Sequence, residues 1–343
     1  MVENSDLEIV LAVDEAFCMP LCVTVRSVLK NLRKNYAARI WILHDMLTEP
    51  MKASVRDSVG DTSEGCTIRW LEVSKDSIPN ATVDGHVSIV TFFRMLIGRY
   101  LPNEIQKVIY LDCDVLVRKD LRELFECDLQ GKTIAAVQDS AAPFLDAKRM
   151  LHAHHPAIQH LGATRPIPNY QQLNLPASSP YFNAGVLLID LKRWRENQVE
   201  QRLLDCISEH RENMIWWDQY ALNVVLHDDW TMLDPTWNVT SHLTSLPSAK
   251  YSYLEKSTFD RIRCDPGVVH FSSSVKPWHP LCRNPFRGEF EAVLDKTAWA
   301  GTRPSIEDTV RASARAICSY PREALGKMWR TLNPWYKPLP HLA

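Results

Sequence analysis

The chain has 343 residues, 45% of them hydrophobic and 23% charged, enough for one large α/β domain or two smaller ones. Thirty-nine basic against 41 acidic side chains leave a formal charge of −2, without the basic footprint that a nucleic-acid partner normally requires. No run approaches the ~18 apolar residues of a membrane-crossing helix, and Met1 to Asp6 lacks the basic, apolar start of a signal peptide.

Nine cysteines with no C-x-x-C pair read as free thiols in a reducing compartment. The expectation is a cytosolic protein, or one facing the cytosol from a membrane surface. Along the chain, Leu7 to Val13 predicts a buried strand ending at Asp14-Glu15, and Leu21 to Leu32 an amphipathic helix around Arg26 and Lys30. Ala38 to His44 and Cys66 to Val73 predict two more strands, separated by a helix that opens at Glu49-Pro50. Thr91 to Leu101 reads as a helix stopped by Pro102 and feeding the apolar strand from Lys107. A short helix near Leu121 to Phe125 and a strand at Thr133 to Val137 follow. Prolines 143, 156, 166, 168, 176 and 180, with His152, His154, His155 and His160, mark a long loop with short helical pieces. Gly185 to Asp190 predicts a strand, followed by one long helix to about Arg211. Asp218 to Leu226 predicts a further helix, and Gly267 to Phe271 a short strand ending in His270. Strands alternating with helices imply an α/β fold with a mainly parallel sheet.

Chemistry concentrates in two places. In Lys107 to Leu116 (KVIYLDCDVL) an apolar run meets Asp112 and Asp114, one residue apart. Residues i and i+2 of an ideal strand face one side, so both carboxylates could meet one point. Like charges held that close call for a cation, and open α/β sheets bind ligands at the carboxyl ends of their strands. Two solvated turn carboxylates are the plainer alternative. A haloacid-dehalogenase-type phosphatase also carries acid-x-acid after a strand, but with threonine or valine where this chain has Leu116. The second cluster, His270 to Trp278 (HFSSSVKPW), joins an imidazole, hydroxyls and a lysine. Imidazole with carboxylates suits Mn2+, and Lys276 could neutralise a diphosphate.

The order LEIVLAVDEAF, LDCDVLV, YFNAGVLLIDL, WDQYALN, HFSSSVKPW resembles glycosyltransferase family 8 from about Leu7 to Trp278. The resemblance implies a GT-A fold flanked by helices, over residues 1–300, and a retaining hexosyltransferase. Within the family the chain resembles the bacterial lipooligosaccharide and lipopolysaccharide galactosyl- or glucosyltransferases and, more distantly, glycogenin. It implies Mn2+ (or Mg2+) held by Asp112, Asp114 and His270, and a UDP-hexose donor. Donor contacts would come from Ala12, Asp14, Phe17, Arg94, Cys113, Asn183, Ala184, Gly185 and Lys276, with Asn183 to Gly185 forming a turn against the sugar. Asp139 would bind donor and acceptor sugars. Asp218 would bond sugar hydroxyls, although by itself it also suits a helix N-cap. Gln219 would face the anomeric carbon in front-face transfer, because an amide oxygen is a poor nucleophile.

Two positions depart from the pattern: Ala16 where relatives carry Asn, and Ser273 where many carry Gly, which would change the donor geometry or add a phosphate contact. Residues 301–343 hold seven Lys/Arg against three Asp/Glu, with Trp329, Trp335 and Tyr336. Amphipathic stretches at Val310 to Ile317 and Ala324 to Leu332 suit either a surface helix or peripheral contact with an anionic membrane. The acceptor would then be a glycan or glycolipid made at the cytosolic face. A weakly catalytic nucleotide-sugar-binding protein and a nucleotidyltransferase on a related fold are the alternatives. Intact Asp112, Asp114, His270, Lys276 and Gln219 oppose the first, and the absence of a glycine-rich basic loop at Ala12 to Phe17 opposes the second.

Overall fold

The computed structural model describes residues 7–33, 36–60, 65–78 and 88–319, with side chains through 312. A seven-stranded sheet has the order β3-β2-β1-β4-β7-β6-β8. Its strands are β1 (Leu7–Val13), β2 (Ala38–His44), β3 (Cys66–Glu72), β4 (Lys107–Leu111), β6 (Ile134–Gln138), β7 (Phe182–Asp190) and β8 (Trp230–Met232). Parallel pairs join β1 to β2 and β4, β2 to β3, and β6 to β8, while β7 runs antiparallel to β4 and β6. The mainly parallel sheet holds, with one reversed strand, β7, between β4 and β6.

Successive residues of these strands feed two cores. Val10, Val108, Tyr110, Leu187 and Ile189 face residues 89–97 and the helices Val199–His210 and Trp217–Val225. Ile9, Leu11, Ile109, Leu111, Val186 and Leu188 face the helix Cys18–Asn31. A one-residue slip of β7 would exchange the two sets, so burial on both faces specifies its register.

A second sheet has the order β5-β10-β9, built from β5 (Val115–Val117), β10 (Val268–His270) and β9 (Val239–Thr240). Strands of two or three residues carry no readable period, and only β10 was expected. This sheet assembles the site: β10 pairs antiparallel with β5 so that His270 lies opposite Val115, the residue after Asp114. The Phe271 N–H then donates to the Asp114 carbonyl at 3.0 Å. The helix Cys18–Asn31 holds the same turn from behind, with the buried Thr24 hydroxyl 2.7 Å from the Cys113 carbonyl and 2.8 Å from that of Val115.

Four expectations need correction. Asp112 and Asp114 lie in the turn between β4 and β5, so the turn rather than a strand pleat brings them together. Asn183, Ala184 and Gly185 belong to β7 and not to a turn; the strand begins three residues early, beside a register shift opposite Ala136 and Gln138. The helix to Arg211 is broken into Leu191–Glu196 and Val199–His210. Trp194 and Val199, both buried, are five residues apart, off the helical period, and left-handed Gln198 (φ 50°) absorbs the offset. Thr91 to Leu101 winds as a 3-10 helix, Ile89–Leu96, before the turn Ile97–Tyr100. Three-residue winding eclipses i and i+3, and Arg94 Nε donates to the Thr91 carbonyl at 3.0 Å.

A helix, Ile306–Ser319, follows the sheet domain and exposes Ile306 and Val310. No helix among the described residues is long and apolar enough to cross a membrane. The Ala324 to Leu332 stretch, Trp329, Trp335 and Tyr336 lie outside the described residues.

Candidate active site

The carboxyl ends of β1, β4 and β10, with the amino end of β7, surround an open cleft of about 400 Å3. Asp112, Asp114 and His270 each offer one ligand atom, all within 4.8 Å of one another. His270 Nε2 is 3.3 Å from Asp114 Oδ1 and 3.6 Å from Asp112 Oδ2. Lys276 Nζ donates to Asp114 Oδ2 at 2.5 Å and to the Phe271 carbonyl at 2.8 Å. Burial works against the Asp114 carboxylate, but Lys276 and then His270 outweigh it and hold its pKa well below the usual range.

These donors fit a divalent cation: two carboxylate oxygens and an imidazole nitrogen suit Mn2+ or Mg2+ better than a thiophilic metal. Gly185 makes room for them. A Cβ there would lie 2.7 Å from His270 Nδ1 and 2.9 Å from Asp112 Oδ2, and closer still to the imidazole Cε1.

Arg94 ties the turn that carries Asp112 at one end of the cleft to Asp218 at the other. Its buried guanidinium reaches Asp112 Oδ1 at 2.8 Å (Nη2) and Asp218 Oδ2 at 2.8 Å (Nε), and donates to the Ala184 carbonyl at 2.6 Å (Nη1). It lies 4.5 Å from the centroid of the Tyr110 ring, whose hydroxyl donates to Asp112 Oδ1 at 3.1 Å. Asp218 does not cap its helix, whose N-cap is Trp216. Its side chain accepts from the Thr91 hydroxyl at 3.0 Å. Burial pushes the Asp218 pKa up to about 6 against the pull of Arg94.

Around Asp139 and Gln219 the cleft wall is a hydrogen-bonded network. Asp139 Oδ1 accepts from the Ala141 and Ala142 N–H groups at 2.7 and 3.0 Å. Its Oδ2 accepts from Asn183 Nδ2 at 2.8 Å and Gln219 Nε2 at 3.2 Å. Gln219 Oε1 accepts from the Ala184 N–H at 3.0 Å, so both ends of this amide are held. At the opposite end, Ala12, Asp14 and Phe17 line the cleft. Asp14 caps the turn Glu15–Phe17 by accepting from the Phe17 N–H at 3.1 Å, and Phe17 meets Trp278 edge-on at 6.0 Å. Cys113 Sγ donates to the Ala12 carbonyl at 3.1 Å, joining this loop to the turn that carries Asp112 and Asp114.

One expected contact is not brought in. Ser273 is exposed, stands apart from the cleft wall, and donates its hydroxyl to the Val275 carbonyl at 3.0 Å; Ser272 lines the cleft instead. Ala16 is exposed. Sequence reasoning missed Asn238, Thr91, Tyr110, Trp216, Trp217 and His242. The Trp216-Trp217 pair directly before Asp218-Gln219 was visible as a signal. Asn238 had none, because only the second sheet carries it to His270, with Nδ1 to Oδ1 at 3.0 Å.

Comparison with known proteins gives one family. The sequence model for glycosyl transferase family 8 matches residues 8–282. General stress protein A of Bacillus subtilis (strain 168) is 25% identical over 302 residues, covering 87% of this chain and 96% of that protein. Glycosyltransferase GlyF of Streptococcus pneumoniae serotype 4 is 29% identical over 272 residues, covering 79% of this chain but only 57% of GlyF. Among solved structures, the galactosyltransferase LgtC with donor and acceptor sugar analogs matches with a TM-score of 0.69 at 24% identity, covering 87% of this chain and 98% of LgtC. The bifunctional glycosyltransferase WbbM, in its apo form, matches with a TM-score of 0.67 at 21% identity, covering 88% of this chain and 51% of WbbM. These likenesses establish the fold as GT-A.

Proposed function

We infer, since the chain belongs to glycosyl transferase family 8, that it is a metal-dependent, retaining hexosyltransferase. It would move galactose or glucose from a UDP-sugar to a glycan or glycolipid acceptor in surface-glycan synthesis. The observation that carries this reading is the convergence of Asp112, Asp114 and His270 within 4.8 Å at one wall of the cleft. A cation held there would supply Lewis-acid stabilisation of charge on the departing UDP. Lys276 would add a second positive charge beside the diphosphate, exchanging its contact with Asp114 for phosphate oxygens.

The remaining residues would divide the donor between them. Asp14 and Phe17 would hold the uracil end. Asp139, Asn183 and Asp218 would bind sugar hydroxyls. Gln219, fixed by Ala184 and Asp139, would present a dipole to the anomeric carbon while the leaving phosphate takes the acceptor proton on the same face. A glycosyl adduct on Gln219 or Asp218 during turnover would exclude that course.

A donor screen measuring Mn2+-dependent UDP release tests the reading. Asp112→Ala and Asp114→Ala should each lower turnover by more than the roughly 100-fold that loss of a ligand's supporting partner costs. Full activity of either variant with the metal chelated would end the metal-dependent reading. Donor binding without release of UDP would point to a binding protein instead.

A further inference from the structure

We propose that Asn238, which belongs to no motif of this chain, sets the tautomer of His270 and so its ability to act as a metal ligand. The proposal rests on reading Asp112, Asp114 and His270 as a cation site.

A chain of hydrogen bonds takes its polarity from an unambiguous donor, here a backbone N–H. Gly185 N–H donates to Asn183 Oδ1 at 3.0 Å, which identifies that atom as the amide oxygen. The same orientation gives Asn183 Nδ2 to the Asp139 carboxylate at 2.8 Å, so both ends of the amide agree. Asn183 Oδ1 can only accept. The atom of Asn238 that meets it at 2.9 Å is therefore the Nδ2 amide. Asn238 must then turn its Oδ1 to His270 Nδ1, at 3.0 Å. That oxygen also only accepts, so Nδ1 carries a proton.

The consequence falls on the other ring nitrogen. With Nδ1–H engaged, Nε2 is the nitrogen able to offer a lone pair, and it faces Asp114 Oδ1 at 3.3 Å and Asp112 Oδ2 at 3.6 Å. Asn183, Asn238 and His270 are all buried, so water does not compete for these bonds. Asn238 ends the 3-10 turn Pro235–Asn238 directly before β9, and β9 pairs with β10, which carries His270. The same small sheet delivers the ligand and the residue that orients it. Through Asn183 the chain continues to Asp139 and Gln219, so the metal end and the sugar end share one hydrogen-bonded frame. Asn238 is thus a positioning residue.

The test titrates the metal-free, full-length chain with Mn2+ and follows free Mn2+ by electron paramagnetic resonance. Asn238→Leu removes both hydrogen bonds and keeps the number of side-chain heavy atoms, in a bulkier shape. Asn238→Asp keeps an oxygen for Nδ1–H, while it replaces the donor to Asn183 by a second carboxylate oxygen and adds a charge. The leucine variant is expected to bind Mn2+ about 10–100-fold more weakly, the range for lost supporting partners of metal-bound histidines, with the aspartate variant restoring most of the affinity. Nitrogen-15 NMR of histidine in the metal-free wild type, with His270 assigned by its loss in His270→Gln, should show a protonated Nδ1.

An unprotonated Nδ1, or a leucine variant that binds as tightly as wild type, overturns the proposal. Should the leucine variant not fold, the aspartate variant and the wild-type spectrum still decide it. A wild-type chain that binds no Mn2+ would instead refute the cation-site reading, a result distinct from wild-type binding that ignores Asn238.

Discussion

Gly185→Ala is expected to abolish Mn2+-dependent turnover, although the substitution adds a single methyl group. Gly185 lies in β7 with its carbonyl accepting the Asp112 N–H at 2.8 Å and its own N–H held by Asn183 Oδ1 at 3.0 Å, so the backbone cannot retreat. The new Cβ would lie 2.7 Å from His270 Nδ1 and 2.9 Å from Asp112 Oδ2. His270 cannot move aside without leaving Asn238, and Asp112 cannot move without breaking its pair with Arg94. The ligands are therefore driven apart. Mn2+ affinity and UDP release should both fall by more than about 100-fold, beyond the loss from removing a supporting partner. Overpacking should cost about 1–3 kcal/mol in urea-denaturation stability. Gly288→Ala is the control. Gly288 sits in the first turn of the helix Arg287–Leu294 with open space around its would-be Cβ, so alanine there should leave stability and activity close to wild type. Wild-type Mn2+ affinity in Gly185→Ala would show that the glycine does not make room for the site.

Arg94→Met is expected to be the most destabilising change in the cleft. The methionine fills much of the volume but leaves Asp112, Asp218 and the Ala184 carbonyl without the cation that joins them. Removing one member of a buried ion pair costs about 3–5 kcal/mol, because the partner charge stays behind. Arg94→Lys should recover only part of the loss, since an ammonium cannot reach both carboxylates and the carbonyl as a planar fork does.

The pH dependence has a definite sign. Burial already raises the folded-state pKa of Asp218 to about 6, and Arg94 opposes that rise. A carboxyl with a raised folded pKa is protonated more readily in the folded state, so its penalty grows as pH rises through that value. Without Arg94 the pKa should move higher still. The deficit of Arg94→Met, read as the shift in urea midpoint against wild type, should therefore be larger at pH 8 than at pH 5. Equal deficits at both would show that Asp218 does not carry the cost.

Much of this fold is legible without coordinates, because much of its patterning is local. Residues 9–13 and 108–111 are apolar on both faces, as strands inside a covered parallel sheet must be. Proline at the start of Glu49–Val59 and the apolar repeat of Cys18–Asn31 mark helices by the same local logic. Where the repeat failed, a neighbour intervened. The helix expected through Arg211 broke because Trp194 and Val199 must both be buried, and the Arg94 segment wound tightly around Thr91.

The candidate site divides along the same line. By itself the sequence determined which groups were available: paired carboxylates at the end of a buried strand, a histidine and a lysine after another, and an Asp-Gln step opening a helix. Those are properties of residue type and short spacing. The tertiary structure alone decided how they meet. It reversed β7, so that Asn183 to Gly185 became strand residues beside the turn that carries Asp112 and Asp114. It also paired the three-residue strands Val115–Val117 and Val268–His270, and through β9 brought Asn238 to the imidazole. Short strands have no period of their own and acquire order only from a partner elsewhere in the chain. The hydrogen bonds that aim the ligands therefore exist only once the chain has closed on itself.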